Sequence, residues 1–167
     1  MNELIEKIEQ WAEDRNIIKG SKPIDQAMKL FSEFGELADN VGKGRDCRDD
    51  IGDVFVVLTI MCKQLGMSMS TVSPIKAKIK NKPKQMVSLL LLDFHEILMC
   101  PAMCDFDDAV GTLKHIAEYF GYTLEECVQI AYNDIKDRKG VMYNGVFIKE
   151  SDPAYQDAID NIEADKE

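Results

Sequence analysis

Basic residues are the minority in this chain. Its 167 residues carry 20 Lys and Arg against 30 Asp and Glu, a net charge of −10. A polyanion-binding surface needs a basic stripe to displace counterions, so nucleic acid is excluded as a partner. No apolar run approaches the roughly 18 residues that span a bilayer, which excludes a membrane-spanning role. The start, Met1-Asn2-Glu3-Leu4-Ile5-Glu6-Lys7, lacks the basic stretch and apolar core of a signal peptide. A soluble, cytoplasmic protein is expected. Histidine is confined to His95 and His115, and the five cysteines are odd in number and scattered without a CxxC pair. That composition excludes a disulfide framework and argues against structural zinc, leaving reduced, mostly buried thiols. No GxxxxGK[ST] loop occurs, so a Walker-type kinase or GTPase is excluded as well.

What the chain does contain is helical periodicity. Leu4, Ile5, Ile8, Trp11 and Ala12 mark one helix; Ala27, Leu30, Phe31, Phe34 and Leu37 mark a second, opened by Pro23. Gly42 and Gly44 punctuate a polar loop, and Val54 to Leu65 reads as an apolar helix ended by Gly66. Further helices are predicted over Leu89 to Met99 and Val110 to Phe120, the latter ended by Gly121. Thr123 and Glu126 form a capping-box pattern opening a last long helix to about Arg138. Asn144-Gly145 between short apolar runs signals a hairpin over Val141 to Ile148. Residues 153–167 read as an acidic tail on a domain of residues 1–152.

The chain also resembles itself. A shift of 60 places Lys22-Pro23 on Lys82-Pro83, Leu30 on Leu90, Phe34 on Phe94 and Glu36 on Glu96. A shift of 55 places Asp50 on Asp105, Asp53 on Asp108, Leu58 on Leu113 and Gly66 on Gly121. Repeats over about 22–83 and 82–138 are expected. The fold class is therefore all-α: an antiparallel bundle built from two repeated helical hairpins, with a short C-terminal β-hairpin.

Candidate chemistry lies between Glu33 and Asp53. Glu33 and Glu36 are three apart, hence neighbours on one helix face, and Asp50 and Asp53 repeat that spacing after a 13-residue connection. An antiparallel hairpin brings the four together, where like charges about 4 Å apart cost roughly 4 kcal/mol at an effective dielectric near 20. A divalent cation offsets that repulsion, and oxygen-only ligands select Mg²⁺ or Mn²⁺. Isolated ExxE and DxxD pairs are commonly solvated faces, but two pairs interleaved with Gly35 and Gly52 on apolar helices are not. The small residues let the helices approach or admit metals and ligand.

This pattern resembles the MazG-like nucleoside triphosphate pyrophosphohydrolases, the all-α NTP pyrophosphatase superfamily. The resemblance rests on Gln26, Lys29-Leu30, Glu33, Gly35-Glu36-Leu37 and Asp50-Ile51-Gly52-Asp53-Val54, in that order. Trp11 to Arg15 is similar to that family's N-terminal helix. Asn133 to Gly140 and Asn144 to Asp152 are similar to the ending of small members, many of them phage-borne. About 55 residues stand as an insertion, and Asp50 replaces the usual Glu. The resemblance implies Mg²⁺-dependent hydrolysis of nucleoside triphosphates, dNTPs foremost, to monophosphate and pyrophosphate. It implies Glu33, Glu36, Asp50 and Asp53 as metal ligands, with Glu33 or Glu36 as acceptor of the water proton. It also implies a four-helix core, which a duplicated hairpin can build within one chain, with homodimerisation expected beyond that.

The second half keeps Asp93, Glu96, Asp105 and Asp108 at the matching places, readable as a second acidic site or, for Asp105 and Asp108, as helix caps. Met86 and Leu89 replace Gln26 and Lys29 there. Conversely, Tyr132, Asn133, Lys136 and Arg138 match the family ending, whereas Ala77 to Pro83 lacks such residues. Substrate contacts are thus expected from Gln26, Lys29, Asn133, Lys136 and Arg138. The alternatives are a solvated helix end for Lys136 and Arg138, and an ion pair with Glu33 for Lys29. Trp11 either stacks on a base or anchors the first helix. Competing functions are a degenerate metal-binding interaction module and a hydrolase of another nucleotide pyrophosphate bond.

Overall fold

The computed structural model describes residues 1–74 and 82–165. Its elements run α1 (Asn2–Asp14), α2 (Ile17–Gly20), α3 (Pro23–Lys43), α4 (Arg48–Gln64), α5 (Pro83–Met99), α6 (Met103–Tyr119), α7 (Leu124–Ile135), β1 (Gly140–Tyr143), β2 (Val146–Lys149) and α8 (Tyr155–Ala164). No helix among the described residues is long and apolar enough to cross a membrane. The segment 75–81, and with it most of the stretch Ala77 to Pro83 and the end of the first expected repeat, lies outside the described residues.

Helix α4 is the axis of the molecule. Every residue from Val54 to Cys62 is buried, the mark of a helix enclosed on all sides. It packs against α1, α3, α6 and α7, while α5 pairs with α6 and touches α3. Thr59, the one polar residue in that run, returns its hydroxyl proton to the Phe55 carbonyl at 2.9 Å. Phe34 and Phe94 meet edge to face with centroids 5.5 Å apart, tying α3 to α5.

Helix ends follow local chemistry. Pro23 and Pro83 each occupy the first turn, where a missing N–H costs nothing. The Thr123–Glu126 capping box is present, with Glu126 N donating to Thr123 Oγ1 at 3.1 Å and Thr123 N to Glu126 Oε2 at 2.7 Å. Gly66 and Gly121 close α4 and α6 in the left-handed conformation, at φ 74° and 85°. Matching bonds complete both ends: Met67 N to Cys62 O at 3.0 Å, and Tyr122 N to Ala117 O at 2.9 Å.

Several boundaries differ from the sequence reading. Helix α4 begins at Arg48 and α6 at Met103, both well before the apolar runs that mark them, because first-turn acids suit the helix dipole. These are Asp49 and Asp50 in α4 and Asp105 in α6, where Asp105 also accepts from Ala102 N. Helix α3 runs through Gly42 to Lys43, and only Gly44 turns left-handed, at φ 66°. Helix α7 stops at Ile135, so Lys136 and Arg138 lie past its end. Phe31, assigned to the apolar stripe, is 40 % exposed. The stretch expected as an acidic tail contains α8, whose Ala158 and Ile162 are buried against Val141. Five cysteines are free; Cys47, Cys62 and Cys127 are buried, whereas Cys100 and Cys104 are exposed.

The hairpin forms as expected, in the register Gly140↔Lys149, Val141↔Ile148, Met142↔Phe147 and Tyr143↔Val146. Asn144 and Gly145 at its tip both have positive φ, 49° and 78°, as a tight hairpin turn requires. Alternation gives its faces different tasks. Met142 and Phe147 join the helical core, while Val141, Tyr143 and Ile148 build a second cluster with α8. The hairpin is fastened to the α1–α3 corner by Met142 N donating to Arg15 O, Asn16 Nδ2 to Met142 O and Gly145 N to Gly20 O, at 2.8, 2.9 and 2.8 Å.

The two site glycines play different parts. A Cβ on Gly52 would lie 2.2 Å from the Cys127 carbonyl oxygen, so Gly52 admits α7 rather than α3. A Cβ on Gly35 would meet nothing within 4 Å. Gly52→Ala is expected to cost about 1–3 kcal/mol by forcing α7 outward. Gly35→Ala should instead stabilise by up to about 1 kcal/mol, because it removes a mid-helix glycine without a clash. Thermal melts of the two variants test the pair, and equal melting points would contradict this packing.

Candidate functional site

Helices α3 and α4 run antiparallel, so Glu33 and Asp53 approach from opposite directions and line one cavity of about 740 Å³. From α3 the cavity also receives Asp25, Gln26 and Lys29. From α4 it receives Val56, Val57 and Ile60, the positions three, four and seven residues after Asp53 on the same face. Trp11 and Ile17 contribute from the N-terminal helices. The opposite wall is Ile135, Arg138 and Lys139 from the end of α7, with Met142, Gly145, Phe147 and Lys149 from the hairpin. The result is a largely apolar cleft with a few converging charges, the usual character of a small-molecule site.

Electrostatics mark Asp53. Burial, followed by the negative charges of Glu33 and Asp49, pushes its carboxyl up to about 7, with Lys29 and Arg138 opposing. Asp50 and Asp49 are also held above the ordinary carboxylate value. For Asp50 the causes are burial and then the charges of Asp49, Glu36 and Glu33, partly offset by the Asn40 amide. For Asp49 they are burial and then Asp134, Glu33 and Glu36, opposed by Arg138. A concentration of carboxylates therefore exists where the two helices meet, and after burial its charges disfavour ionisation of Asp49, Asp50 and Asp53.

The sequence-predicted residues separate within this locus. Glu33 is buried and ion-paired with Lys29, the simpler of the two readings of that lysine, although Lys29 also lines the cavity. Asp50 is buried but turned toward α3, where Asn40 Nδ2 donates to it at 2.8 Å, and neither it nor the exposed Glu36 lines the cavity. Gln26 lines the cavity while donating to Ser21 Oγ at 2.9 Å, which fixes its amide as part of the wall. Arg138 is in the cavity, whereas Asn133 and Lys136 are exposed and outside it; Asn133 Oδ1 accepts from Gln129 and from Lys136.

The second acidic set does not gather at this cavity. Asp105 caps α6, accepting from Ala102 N at 2.9 Å, while Asp108 is exposed a turn further on. Asp93 is half-buried on α5 and Glu96 is exposed. Among the described residues, no group of three or more His, Cys, Asp and Glu side chains is arranged to hold a metal ion.

Other residues escaped the sequence reading. Asp49 lies four before Asp53, hence on the same helix face, and was overshadowed by the adjacent Asp50. Phe147 and Lys149 could have been found from the period-two alternation of the hairpin, which puts them on one face with Met142. Arg15 is a further positioning residue: it donates to Arg138 O at 2.7 Å and Lys136 O at 3.1 Å while lying 5.0 Å over the Trp11 ring.

The half-buried Asp53 carboxyl has a consequence for stability. Folded protein keeps the Asp53 proton up to about pH 7, whereas the unfolded chain releases it near the ordinary 3.8. The folded state thus binds more protons in that window, and stability falls as pH rises through it. In Mg²⁺-free buffer, Asp53→Asn should flatten this decline and raise the melting temperature at pH 8. A steeper decline in the variant would contradict the placement of Asp53.

No family model matches the chain, and no solved structure matches it. Over 66 residues it is 50% identical to an uncharacterized 18.2 kDa protein in the rep-hol intergenic region of Haemophilus phage HP1 (strain HP1c1). That similarity covers 38% of this chain and 40% of the phage protein, so the chain spans less than half the length of this curated relative.

Proposed function

We propose that the protein is a Mg²⁺-dependent nucleoside triphosphate pyrophosphohydrolase of the MazG-like kind, releasing nucleoside monophosphate and pyrophosphate. One observation carries the reading. Glu33 and Asp53 meet from antiparallel helices in a deep apolar cleft, and the Asp53 carboxyl is pushed up to about 7 there. Strongly perturbed carboxyls in a cleft are a mark of functional sites.

The donor set fits a hard cation in charge and type. Glu33 and Asp53, with Glu36, Asp49 and Asp50 on the same two helices, are oxygen-only donors, and burial followed by mutual repulsion raises Asp49, Asp50 and Asp53. When bound, Mg²⁺ supplies neutralisation of phosphate charge and activation of the attacking water. The chain's own residues do the rest. A water oxygen bonds to one phosphorus of the α–β bridge while the bridging P–O bond breaks, and the water proton passes to a carboxylate. Glu33 suits that role better than Glu36, because it alone of the two faces the cavity. Lys29, Arg138, Lys139 and Lys149 line the same space as Asp25, Glu33 and Asp53, so an acidic protein still offers its substrate four cations there.

We further propose that the core is a duplicated hairpin. The support is the recurrence of Pro23 and Pro83 at helix starts, of buried Leu58 and Leu113, and of the same glycine closure at Gly66 and Gly121. The capping role of Asp105 suits a second half that has become structural. One observation favours an interaction module instead. Ile24, Met28 and Phe31, spaced along α3, are exposed large apolar residues, as are Leu91 and Leu92 on α5.

A pyrophosphate-release assay over ribo- and deoxynucleoside triphosphates with Mg²⁺ separates the two. Activity should disappear with chelator and fall at least about 100-fold in Glu33→Gln and Asp53→Asn, while Glu96→Gln stays within about twofold. Folded wild-type protein that releases no pyrophosphate from any nucleotide would sink the hydrolase and leave the interaction module.

A further inference from the structure

The cavity is chemically graded along its length. Seven residues of helix, about 10 Å, separate Glu33 from Gln26 on α3 and Asp53 from Ile60 on α4. All four line the cavity, and the antiparallel packing puts Gln26 and Ile60 at the same end. That end is closed by the hairpin tip: Gly145 donates to Gly20 O, and a Cβ on Gly145 would sit 2.9 Å from the Asp25 carboxyl carbon. The open ends of the two strands lie four residues back from the tip, about 13 Å away, with Gly140 two residues after Arg138. Arg138 ties that end to the carboxylates, since its charge acts on both Asp53 and Asp49.

Lys149 belongs to that charged end. It pairs with Gly140 across the last rung of the hairpin and shares its face with Met142 and Phe147. Among the described residues its side chain forms no hydrogen bond or ion pair, unlike Lys139, which pairs with Glu150 at 3.5 Å. The Arg138 guanidinium is likewise without an ion pair among them, although its backbone is held by Arg15. Two cations without an ion pair among the described residues therefore stand at the Asp53 end of a cavity whose other end holds Asp25 and Gln26 beside Ile60.

We propose that Lys149, with Arg138, clamps the pyrophosphate end of the substrate, leaving the nucleoside to the end lined by Gln26 and Ile60. The inference rests on the hydrolase reading for its substrate, and it makes the C-terminal hairpin part of the binding site. Arginine suits a forked contact to phosphate oxygens and lysine a point-charge one. A cation at this place recognises the polyphosphate and carries no information about the base.

Calorimetric titration of the full chain in Mg²⁺ buffer with inorganic pyrophosphate, and separately with nucleoside monophosphates, tests the clamp. Lys149→Gln should weaken pyrophosphate about tenfold and leave monophosphate binding within about twofold, and Lys149→Arg should restore most of the loss. Wild-type protein that does not bind pyrophosphate would overturn the clamp. So would a Lys149→Gln variant that binds it normally or loses both ligands equally. Lys149-dependent pyrophosphate binding in a protein that hydrolyses no nucleotide would keep the clamp and remove the hydrolase. Nucleotide hydrolysis with Lys149-independent pyrophosphate binding would do the reverse.

Discussion

The enclosure of α4 governs this molecule. A helix with no face to give to water must be covered by others, and α1, α3, α6 and α7 are arranged as that cover. The cover reaches full depth only if one neighbour comes very close, which Gly52 permits to α7. Asp53 is the next residue, so the packing that buries the axis also sinks a carboxylate beside it. Burial disfavours the charged form, and the neighbouring Glu33 and Asp49 disfavour it further. The perturbed acid is thus a direct product of how the core closes.

The helical class and the capping box were legible in residue spacing, since both depend on neighbours within one or two turns. So was the Asn144-Gly145 turn, because few residues tolerate two consecutive positive φ values. Helix starts were less legible: Arg48 and Met103 open helices through polar turns whose stability comes from ends and tertiary cover. Residues 155–164 read as tail because their two buried side chains, Ala158 and Ile162, gain their value only from strand partners many residues away.

The candidate site divides along the same line. Glu33 and Asp53 stood out because their spacing and apolar setting are written locally. That Asp50 turns to Asn40, that Glu36 stays outside the cavity, and that Lys149 enters it depend on how α3, α4 and the hairpin meet. Lys136 and Asn133 looked equivalent to Arg138 as sequence, yet the early end of α7 sends only Arg138 into the cleft. Rotation around a chain that has left its helix is not encoded in a period of 3.6.

The small cluster between α8 and the hairpin changes how this cleft can move. Val141, Ala158 and Ile162 form an apolar nucleus separate from the main core. The free energy of a local opening grows with the apolar surface it exposes. Parting the hairpin from the helices would uncover Met142 and Phe147, which belong to the main core, and break its bonds to Arg15, Asn16 and Gly20. Parting it from α8 would uncover only the small cluster on its other face. A solute entering the cleft therefore meets a hairpin wall seated on the main core from one face and braced by α8 from the other.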